Sequence, residues 1–237
     1  MQQYEGKAKR VTVRDDGDVE IYYKDDATAF NGQKHELFAG KGALNSQIAE
    51  RLLVYLQQRG TPTHHVQRLD DRTLLAKRVK IFPLEVVVRF KVAGSLAKRT
   101  GLPDNTVCAP PIVETYYKRD DLGDPIVNDD HIRLLGIATP ADVLTLRRMA
   151  LKAALDLKAL CDKAEIDLVD LKLEFGQSGA GILLADEVSP DTCRFRDKKT
   201  GSSLDKDVFR QGKGDLLSGY REVLQRFEKA LAEVVRA

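Results

Sequence analysis

The chain has few cysteines and no cysteine pattern. Cys108, Cys161 and Cys193 are its only three among 237 residues, and they lie far apart. An odd number of distant cysteines fits neither a disulfide framework nor a zinc site, so we predict reduced, buried or partly buried thiols in a cytosolic protein. The four histidines show no metal-ligand spacing, and the adjacent His64 and His65 are expected in a loop or at a strand edge.

An excess of charge and long apolar runs are also missing. Lysine and arginine number 38 against 36 aspartates and glutamates, giving a net charge of +2. That near-balance argues against nucleic-acid or membrane binding, which requires a concentrated basic surface. No apolar run approaches the ~18 residues of a membrane span, and the beginning MQQYEGKAKR lacks the apolar core of a secretory signal. We therefore expect a cytoplasmic protein of one large domain or two smaller ones.

The most informative stretch is residues 168–197. In LVDLKLEFG, apolar residues alternate with Asp170, Lys172 and Glu174, so these three charged side chains share one face of a strand. QSGAG predicts a turn, and ILLAD begins the return strand of a hairpin. If the hairpin pairs in the matching register, Asp186 joins the same face, whereas a slip of one residue sends it to the other.

This charged face has two interpretations. For any single charged residue a solvated sheet surface is the commoner explanation. The alternative is a metal and phosphate site, because magnesium prefers carboxylate oxygens with substrate phosphates and a lysine neutralises phosphate charge. The strand break at Ser189 and Pro190, followed at once by Arg194, Arg196 and Asp197, favours the second interpretation.

Residues 4–23 are predicted to form a hairpin with its turn at residues 15–18. At its start stand Gly6, Lys7, Ala8 and Lys9. A glycine followed by small and basic residues can cover phosphates, because glycine admits close backbone approach and the lysines carry charge. An exposed basic strand end is at least as good an interpretation of so short a motif.

The next segments predict a turn, a helix and two strands. Residues 27–32 are expected to form a turn. Gly40, Lys41 and Gly42 form a flexible entry to a helix that Gly60 ends, with leucine or isoleucine at every fourth position. Strands are predicted at residues 73–77 and 84–90. Residues 79–83 contain a proline and are interpreted as a hinge between a smaller N-terminal β-rich lobe and the remainder.

Arg89 ends the strand sequence EVVVR, and a small-residue turn opens a short helix at Ser95. An arginine guanidinium can donate two hydrogen bonds to a phosphate, and the start of a helix offers free backbone N–H groups. This junction is therefore a candidate anion site. An ordinary strand–helix junction explains the pattern equally well.

The rest of the chain is predicted to be mainly helical outside the hairpin. Residues 110–130 are expected to be loop-rich. Thr139 and Pro140 begin a helix that runs to about Ala164 with an apolar stripe, and a long amphipathic helix follows Gly214. Residues 205–211 are expected to form a short polar helix. Lys206 and Arg210 lie one turn apart on it, and a solvated face is the favoured interpretation of that pair.

Seven motifs in order resemble the phosphoribosylaminoimidazole-succinocarboxamide synthase (SAICAR synthetase) family over essentially the whole chain: YEGKAK, ATAFNG, GKG–N, PLEVVVR–AGS, DLKLEFG, LADEVSPDTCR and DKDVFR. The resemblance implies an enzyme of de novo purine synthesis that joins L-aspartate to the carboxylate of carboxyaminoimidazole ribonucleotide (CAIR), converting ATP to ADP and phosphate with Mg²⁺. It implies an α+β fold in which a small N-terminal β-rich lobe (residues 1–80) and a larger α/β part (residues 81–237) clasp ATP, as in protein kinases and ATP-grasp ligases. A homodimer is also implied.

The resemblance assigns roles to residues of this sequence. The ATP site is expected to comprise Lys7, Ala8, Lys9, Lys77, Val79, Ile81, Lys172, Glu174 and Asp186, with Glu174 and Asp186 holding the metal. CAIR is expected at Arg89, Ser95, Asp170 and Arg194, and catalysis at Lys9, Lys172 and Asp170. For the aspartate substrate the candidates are Lys118, Asp124 and the loop of Gly40, Lys41 and Gly42.

Three positions depart from the family's pattern. Asn31 stands where some members have Asp, Phe90 where Asn is common, and Arg196 where Trp is expected. The last is expected to change the packing beside Arg194. Two rival functions are a small-molecule kinase, which would need a catalytic-loop Asp–Asn signature, and a nucleotide-binding regulatory module without turnover. No such signature is evident, and the combination of Lys172, Glu174 and Asp186 argues against the second rival.

Overall fold

A computed structural model describes residues 2–29, 34–212 and 214–236. Its strands are β1 (Gln3–Glu5), β2 (Lys9–Val13), β3 (Val19–Tyr23), β4 (Asp26–Ala29), β5 (Lys34–Leu37), β6 (His65–Arg68), β7 (Thr73–Ala76), β8 (Lys80–Lys91), β9 (Val107–Tyr117), β10 (Ile166–Ser178), β11 (Gly181–Ala185) and β12 (Cys193–Asp197). Its helices are α1 (Lys41–Gln58), α2 (Ser95–Thr100), α3 (Asp129–Leu134), α4 (Pro140–Lys163), α5 (Asp207–Gln211) and α6 (Leu216–Arg236), with a 3-10 turn at Asp120–Leu122. The predicted α+β class is confirmed at the level of mixed helices and antiparallel sheets.

The first sheet is antiparallel and has the strand order β1-β2-β3-β7-β6. Val19, Ile21 and Tyr23 of β3 are buried and alternate with less buried residues, which is the period of two expected of a strand with one covered face. The turn joining β2 to β3 closes around Gly17, whose N–H donates to the Arg14 carbonyl. The predicted N-terminal hairpin is therefore confirmed, with β1 added at its edge.

The second sheet carries β10 near its middle. Its order is β11-β10-β8-β9, and β12 pairs with β10 on the same side as β11. The strand predicted at residues 84–90 begins earlier, at Lys80, so β8 runs through Pro83, and the interpretation of residues 79–83 as a hinge between lobes stays a prediction. The register between β10 and β8 shifts opposite this proline, from Glu174↔Glu85 to Gly176↔Ile81. Such a bulge tolerates a residue that cannot donate a ladder hydrogen bond.

Two further expectations need correction. Residues 110–130 were predicted to be loop-rich, but β9 continues to Tyr117. β9 lies at the edge of its sheet, where prolines such as Pro110 and Pro111 are tolerated because one side needs no donors. Residues 27–32 were predicted to be a turn, but residues 27–29 belong to β4, which pairs with β5, and residues 30–32 lie outside the described ranges.

Three long helices confirm their predicted positions: α4 packs against the second sheet, and α1 and α6 add buried side chains to the same core. The N-cap of α4 is Thr139, which exchanges hydrogen bonds with Asp142 in a capping box and explains why the helix begins there. Buried side chains of α1, α4, α6, β8 and β10 form the main core, represented by Leu52, Leu157, Phe227, Val88 and Leu171. α5 begins two residues later than predicted.

Helix α1 lies between the two sheets. Leu52 and Leu56 belong to the main core, whereas Ala49 packs with Tyr23 and Leu74 of the first sheet. The division at residue 80 stays a prediction, because α1 contributes to both cores. The thiols of Cys108, Cys161 and Cys193 are free and buried or partly buried, as predicted. Within the described ranges, no helix is long and apolar enough to cross a membrane.

Candidate active site

The charged face of β10 forms as predicted. Asp170 pairs in register with Arg89 of β8, and Glu174 pairs with Glu85. Lys172 Nζ donates to Glu85 Oε1 at 2.6 Å and to Glu174 Oε1 at 3.2 Å. The opposite side of the strand is buried core, so the alternation of apolar and charged residues fixes which side chains face the site.

Asp186 reaches this face by a route that differs from the prediction. The hairpin pairs Glu174 with Ala185 and Phe175 with Leu184. Leu184 therefore faces the core, and the expected matching register is wrong. β11 ends at Ala185, however, and Asp186 has φ of 60°, a left-handed conformation that few non-glycine residues adopt. The chain turns at this residue, and its carboxylate accepts a hydrogen bond from Lys9.

A cavity of about 380 Å³, the apolar cavity, lies beside these carboxylates. Its wall is mostly aliphatic, with carboxylates and basic side chains at some positions: Tyr4, Val11, Val13, Val19, Ile21, His64, Lys77, Arg78, Val79, Ile81, Lys118, Glu174 and Asp186. Lys77, Val79 and Ile81 of the predicted ATP site all line it. An aliphatic cavity with a few convergent polar groups suits a flat, largely apolar base attached to a charged group.

The residues predicted to cover phosphates separate into two groups. Gly6 and Ala8 lie in the turn between β1 and β2, and Lys7 Nζ bonds Asp120 Oδ1 at 2.8 Å on the surface. Lys9 points inward, where its Nζ also pairs with Glu187 Oε1 at 2.8 Å.

Strong charge coupling surrounds Lys9. Burial opposes its charged form, but the carboxylates of Asp186 and Glu187 outweigh burial and raise the pKa of Lys9. Burial likewise opposes ionisation of Asp186, yet Lys9, Lys172 and Lys118 hold the pKa of its carboxyl well below its usual range. Lysine and carboxylate are therefore both charged at neutral pH.

Lys172 and Glu174 extend the same network. Burial disfavours the Lys172 ammonium, but Glu174 and Glu85 raise its pKa above the usual value. Glu174 is 3% exposed and accepts a second hydrogen bond at 2.5 Å from Lys118 Nζ. Buried carboxylates are thus balanced by lysines that could turn to a phosphate instead.

A second cavity of about 340 Å³, the cationic cavity, lies along the same strand. It is rich in arginine and lysine: its lining residues are Glu85, Val87, Arg89, Ser95, Tyr116, Asp170, Lys172, Asp191, Thr192, Cys193, Arg194, Lys206 and Arg210. The four residues predicted to bind CAIR all line it.

Two arginines converge on one carboxylate in the cationic cavity. Arg89 Nη1 and Arg194 Nη1 both donate to Asp170 Oδ2, at 2.8 and 2.7 Å. Arg89 also donates to Ser95 Oγ at 3.1 Å. A Cβ at Gly94 would lie 2.6 Å from Arg194 Nη2, so a side chain there would displace the guanidinium. The arrangement brings two guanidinium groups to the start of α2, where an anion is favoured.

Lys206 and Arg210 were predicted to form a solvated face, and this is wrong. Both line the cationic cavity, and Lys206 is 9% exposed. Burial lowers the pKa of Lys206. The Asp191 carboxylate acts in the opposite direction, and the positive charges of Lys41 and Arg210 lower the pKa further. The spacing of four residues was visible in the sequence, but the side of α5 that meets the site depends on packing between distant segments.

An ion pair between buried Lys41 and Asp191, which lines the cationic cavity, was not predicted. Lys41 Nζ donates to Asp191 Oδ2 at 2.5 Å, and Tyr220 OH donates to Asp191 Oδ1 at 2.5 Å. Lys41 and Lys206 hold the pKa of Asp191 below its usual value, although burial acts against them. Among the candidates for aspartate binding, Lys41 therefore stands beside the cationic cavity, and Lys118 lines the apolar one. Asp124 instead accepts from the Arg119 N–H at 2.9 Å in an exposed turn.

The family departures have separate surroundings. Asn31 lies outside the described residues. Phe90 packs in the main core. Arg196 of β12 donates a hydrogen bond to Asn105 Oδ1 and lies 3.5 Å from Asp104 Oδ2. It therefore links β12 to the segment before β9. The adjacent histidines lie where expected, since His65 begins the edge strand β6. Burial lowers the pKa of His64 to about 4.

An apolar cavity bordered by carboxylates and lysines, next to a cationic cavity, is the arrangement expected of an enzyme that uses a nucleotide to act on an anionic substrate. The family model described as SAICAR synthetase matches residues 2–227. The chain therefore belongs to the SAICAR synthetase family.

Individual relatives agree with this assignment. The chain is 51% identical over 228 residues to the phosphoribosylaminoimidazole-succinocarboxamide synthase of Bacillus cereus (strain AH187), covering 94% of each chain. It is 49% identical over 225 residues to the protein of that name from Shouchella clausii (strain KSM-K16), again with 94% of each chain covered. A solved structure described as SAICAR synthetase (Type-2) in complex with ADP superposes with a TM-score of 0.93 at 47% identity, covering 95% of this chain and 97% of that one.

Proposed function

We propose that this chain is an ATP-dependent ligase that joins L-aspartate to the carboxylate of CAIR, giving SAICAR, ADP and phosphate in purine biosynthesis. Family membership supports the reaction, and the similar structure with ADP supports the nucleotide. The observation that carries the proposal is the position of Lys172 on β10. It stands between Asp170, which lines the cationic cavity, and Glu174, which lines the apolar cavity.

The chemistry explains why two such cavities must meet. A carboxylate is a poor acyl donor because its leaving group would be an oxide. In the first step a carboxylate oxygen of CAIR attacks the γ-phosphorus of ATP, the bond to ADP breaks, and an acyl phosphate forms. In the second step the aspartate amine attacks the acyl carbon, phosphate leaves with the C–O electron pair, and the amine loses a proton.

On the nucleotide side, the apolar cavity holds the base against Lys77, Val79 and Ile81. The turn of Lys7 and Ala8 covers the phosphates, and Lys9 leaves its carboxylate partners to face them. Lys172 neutralises charge that develops on the transferred phosphoryl group in a site sheltered from water. The buried pairs of these lysines support this role, because they keep both ammonium groups charged before substrate arrives.

Magnesium fits the residues on this side. Glu174 and Asp186 supply hard oxygen donors to the same cavity. Within the described ranges no group of three or more candidate ligands stands together. Magnesium is commonly held by one or two carboxylates with phosphate and water completing its shell, so a pair of carboxylates suffices. The bound ion would neutralise phosphate charge during transfer.

On the acceptor side, Arg89, Ser95 and Arg194 hold the CAIR phosphate, and Asp170 lies near the imidazole. Arg194 has Nη2 directed toward Gly94 at the start of α2, which supports an anion there. Besides Lys172, the cationic cavity also contains Lys206 and Arg210. Lys206 and Arg210 lie beyond the arginines assigned to the phosphate, which supports binding of a second anionic substrate, L-aspartate, in the same cavity.

We further propose that residues 1–80 and 81–237 act as two lobes around ATP, as in protein kinases and ATP-grasp ligases. The apolar cavity supports this, since its wall combines residues of both ranges. We propose a homodimer in the cytoplasm, as the family resemblance implies. Leu144 and Leu155 on α4 are 60% and 50% exposed and lie eleven residues apart, which puts them on one helix face that a second copy could cover.

Coupled measurement of ADP release tests the reaction. Sustained release is expected only with CAIR and L-aspartate together, because the acyl phosphate turns over by amine attack. With CAIR alone, at most about one ADP per active site should appear. Sustained release without aspartate would indicate a kinase, and no release under any condition would indicate a nucleotide-binding module.

A further inference from the structure

Residues 62–64 form a short connection between the two sheets. Thr63 forms a parallel bridge with Leu184 of β11. On either side of it, Leu184 N–H donates to the Pro62 carbonyl at 2.9 Å and His64 N–H donates to the Leu184 carbonyl at 2.8 Å. The next residue, His65, begins β6 of the first sheet. The backbone of His64 is therefore fixed against the strand that leads directly to Asp186.

The imidazole of His64 contacts Asp186 itself. Its Nε2 lies 3.0 Å from the backbone carbonyl oxygen of Asp186. A carbonyl oxygen only accepts, so Nε2 carries the proton and donates. His64 is 4% exposed and lines the apolar cavity. Its ring is thus packed tightly against the residue whose left-handed backbone turns the carboxylate toward Lys9.

His64 also reaches the opposite wall of the same cavity. Lys77 N–H donates to the His64 carbonyl at 2.7 Å, and Lys77 lines the apolar cavity just before β8 begins. One residue therefore connects the carboxylate side of the cavity to the side expected to hold the base.

We propose that His64 is a positioning residue that holds the Asp186 carbonyl and thereby orients the Asp186 carboxylate toward the nucleotide-bound metal. This inference rests on the proposed function. Asp186 has a backbone conformation that its side chain does not favour, and β11 has already ended, so no ladder hydrogen bond from that strand fixes its carbonyl. The His64 ring supplies the missing support. Groups that orient a metal ligand are typically worth roughly 10- to 100-fold in metal affinity or activity.

The test compares ADP binding by calorimetry with magnesium and with chelator. In the wild type, magnesium is expected to tighten ADP binding. In His64→Asn the amide is too short to reach the carbonyl, and the enhancement by magnesium should fall by roughly 10-fold or more. In His64→Gln the longer amide places an N–H near the position of Nε2, so most of the enhancement should return. Because the enhancement is the ratio of two ADP affinities of the same variant, any effect of the changed cavity wall on both affinities cancels, and the KM for CAIR should change by less than about twofold in both variants.

The neighbouring histidine supplies the matched control. His65 is 5% exposed, so His65→Asn makes the same chemical change at an equally buried site with no side-chain contact to Asp186 among the described hydrogen bonds. Its thermal stability should fall like that of His64→Asn while its response to magnesium stays that of the wild type. Equal responses in His64→Asn and His64→Gln, or loss of the response in His65→Asn, would overturn the inference. A wild type without any magnesium-dependent ADP binding would instead overturn the proposed function.

Discussion

Replacing Arg194 with lysine should weaken CAIR binding while leaving ATP binding intact. The guanidinium uses Nη1 on Asp170 and Nε on Asp207, at 2.7 and 2.8 Å. That leaves Nη2 beside Gly94 for a ligand. Lysine keeps the charge but has no planar fork, so it cannot hold both carboxylates and a phosphate together.

The expected size follows from the lost contact. A hydrogen bond to a charged group contributes about 1.5–3 kcal/mol, and about 1.4 kcal/mol corresponds to a factor of ten. The KM for CAIR should therefore rise roughly 10- to 150-fold, with kcat little changed, because a contact made equally in substrate and transition state affects KM alone. The KM for ATP should change by less than about twofold.

Arg194 is a better target than Arg89, because replacing Arg194 should affect CAIR binding more than the stability of the fold. Arg89 is 3% exposed and bonds Glu114, Asp170, Ser95 and Tyr116. Removing one partner of a buried ion pair typically costs about 3–5 kcal/mol of stability, which would obscure a binding effect. Without the Arg194 guanidinium, Asp170 still has Arg89 as an ion-pair partner, so no buried carboxylate is left unpaired there.

Steady-state kinetics with each substrate varied in turn measures the effect, and a thermal melt establishes that the variant is folded. Arg14→Lys is the matched control, because Arg14 pairs with Asp16 and Glu20 on the surface turn after β2. If Arg194→Lys raised the KM for ATP and left that for CAIR unchanged, the anion site would be misplaced.

Three further outcomes are expected. Glu174→Gln and Asp186→Asn should each lose most turnover, and a near-wild-type rate at saturating magnesium would contradict their role. ATP with magnesium, but not aspartate alone, should increase hydrogen-exchange protection of residues 4–9. Equal protection with and without ATP would mean that the turn proposed to cover the phosphates is preformed. Lys41→Met should cost about 3–5 kcal/mol in chemical denaturation by removing the ion-pair partner of the Asp191 carboxylate, and adding Asp191→Leu should restore part of that stability.

Features set by neighbouring residues could be predicted from the sequence. The start of α4 follows from Thr139 and Asp142, which bond each other across one helical turn. The charged face of β10 follows from strict alternation, since each core residue fixes the direction of the next charged one. The candidate anion site at Arg89 and Ser95 was likewise suggested by the sequence, which places an arginine after an apolar run and shortly before a small-residue turn, although β8 itself continues to Lys91.

Features set by contacts between residues far apart in the sequence could not be predicted. Lys41 and Asp191 are separated by 150 residues, and nothing local to either indicates a buried pair. The orientation of α5, and so the position of Lys206, depends on Asp205, whose carboxylate accepts from the backbone N–H groups of Phe195 and Asp207 at 2.8 and 2.6 Å. Such contacts exist only after β12 has paired with β10.

The register of β10 is the condition on which the whole site depends. Alternate residues of a strand lie about 7 Å apart, so Asp170 and Glu174 are separated by about 13 Å with Lys172 midway between them. That spacing lets one lysine face the terminal phosphate of a nucleotide on one side and an acceptor carboxylate on the other. A shift of one residue would place all three charges in the apolar core, and Leu171, Leu173 and Phe175, at most 1% exposed, prevent it by filling that core on the opposite face. The same apolar residues that stabilise the fold therefore hold the proposed catalytic groups in line.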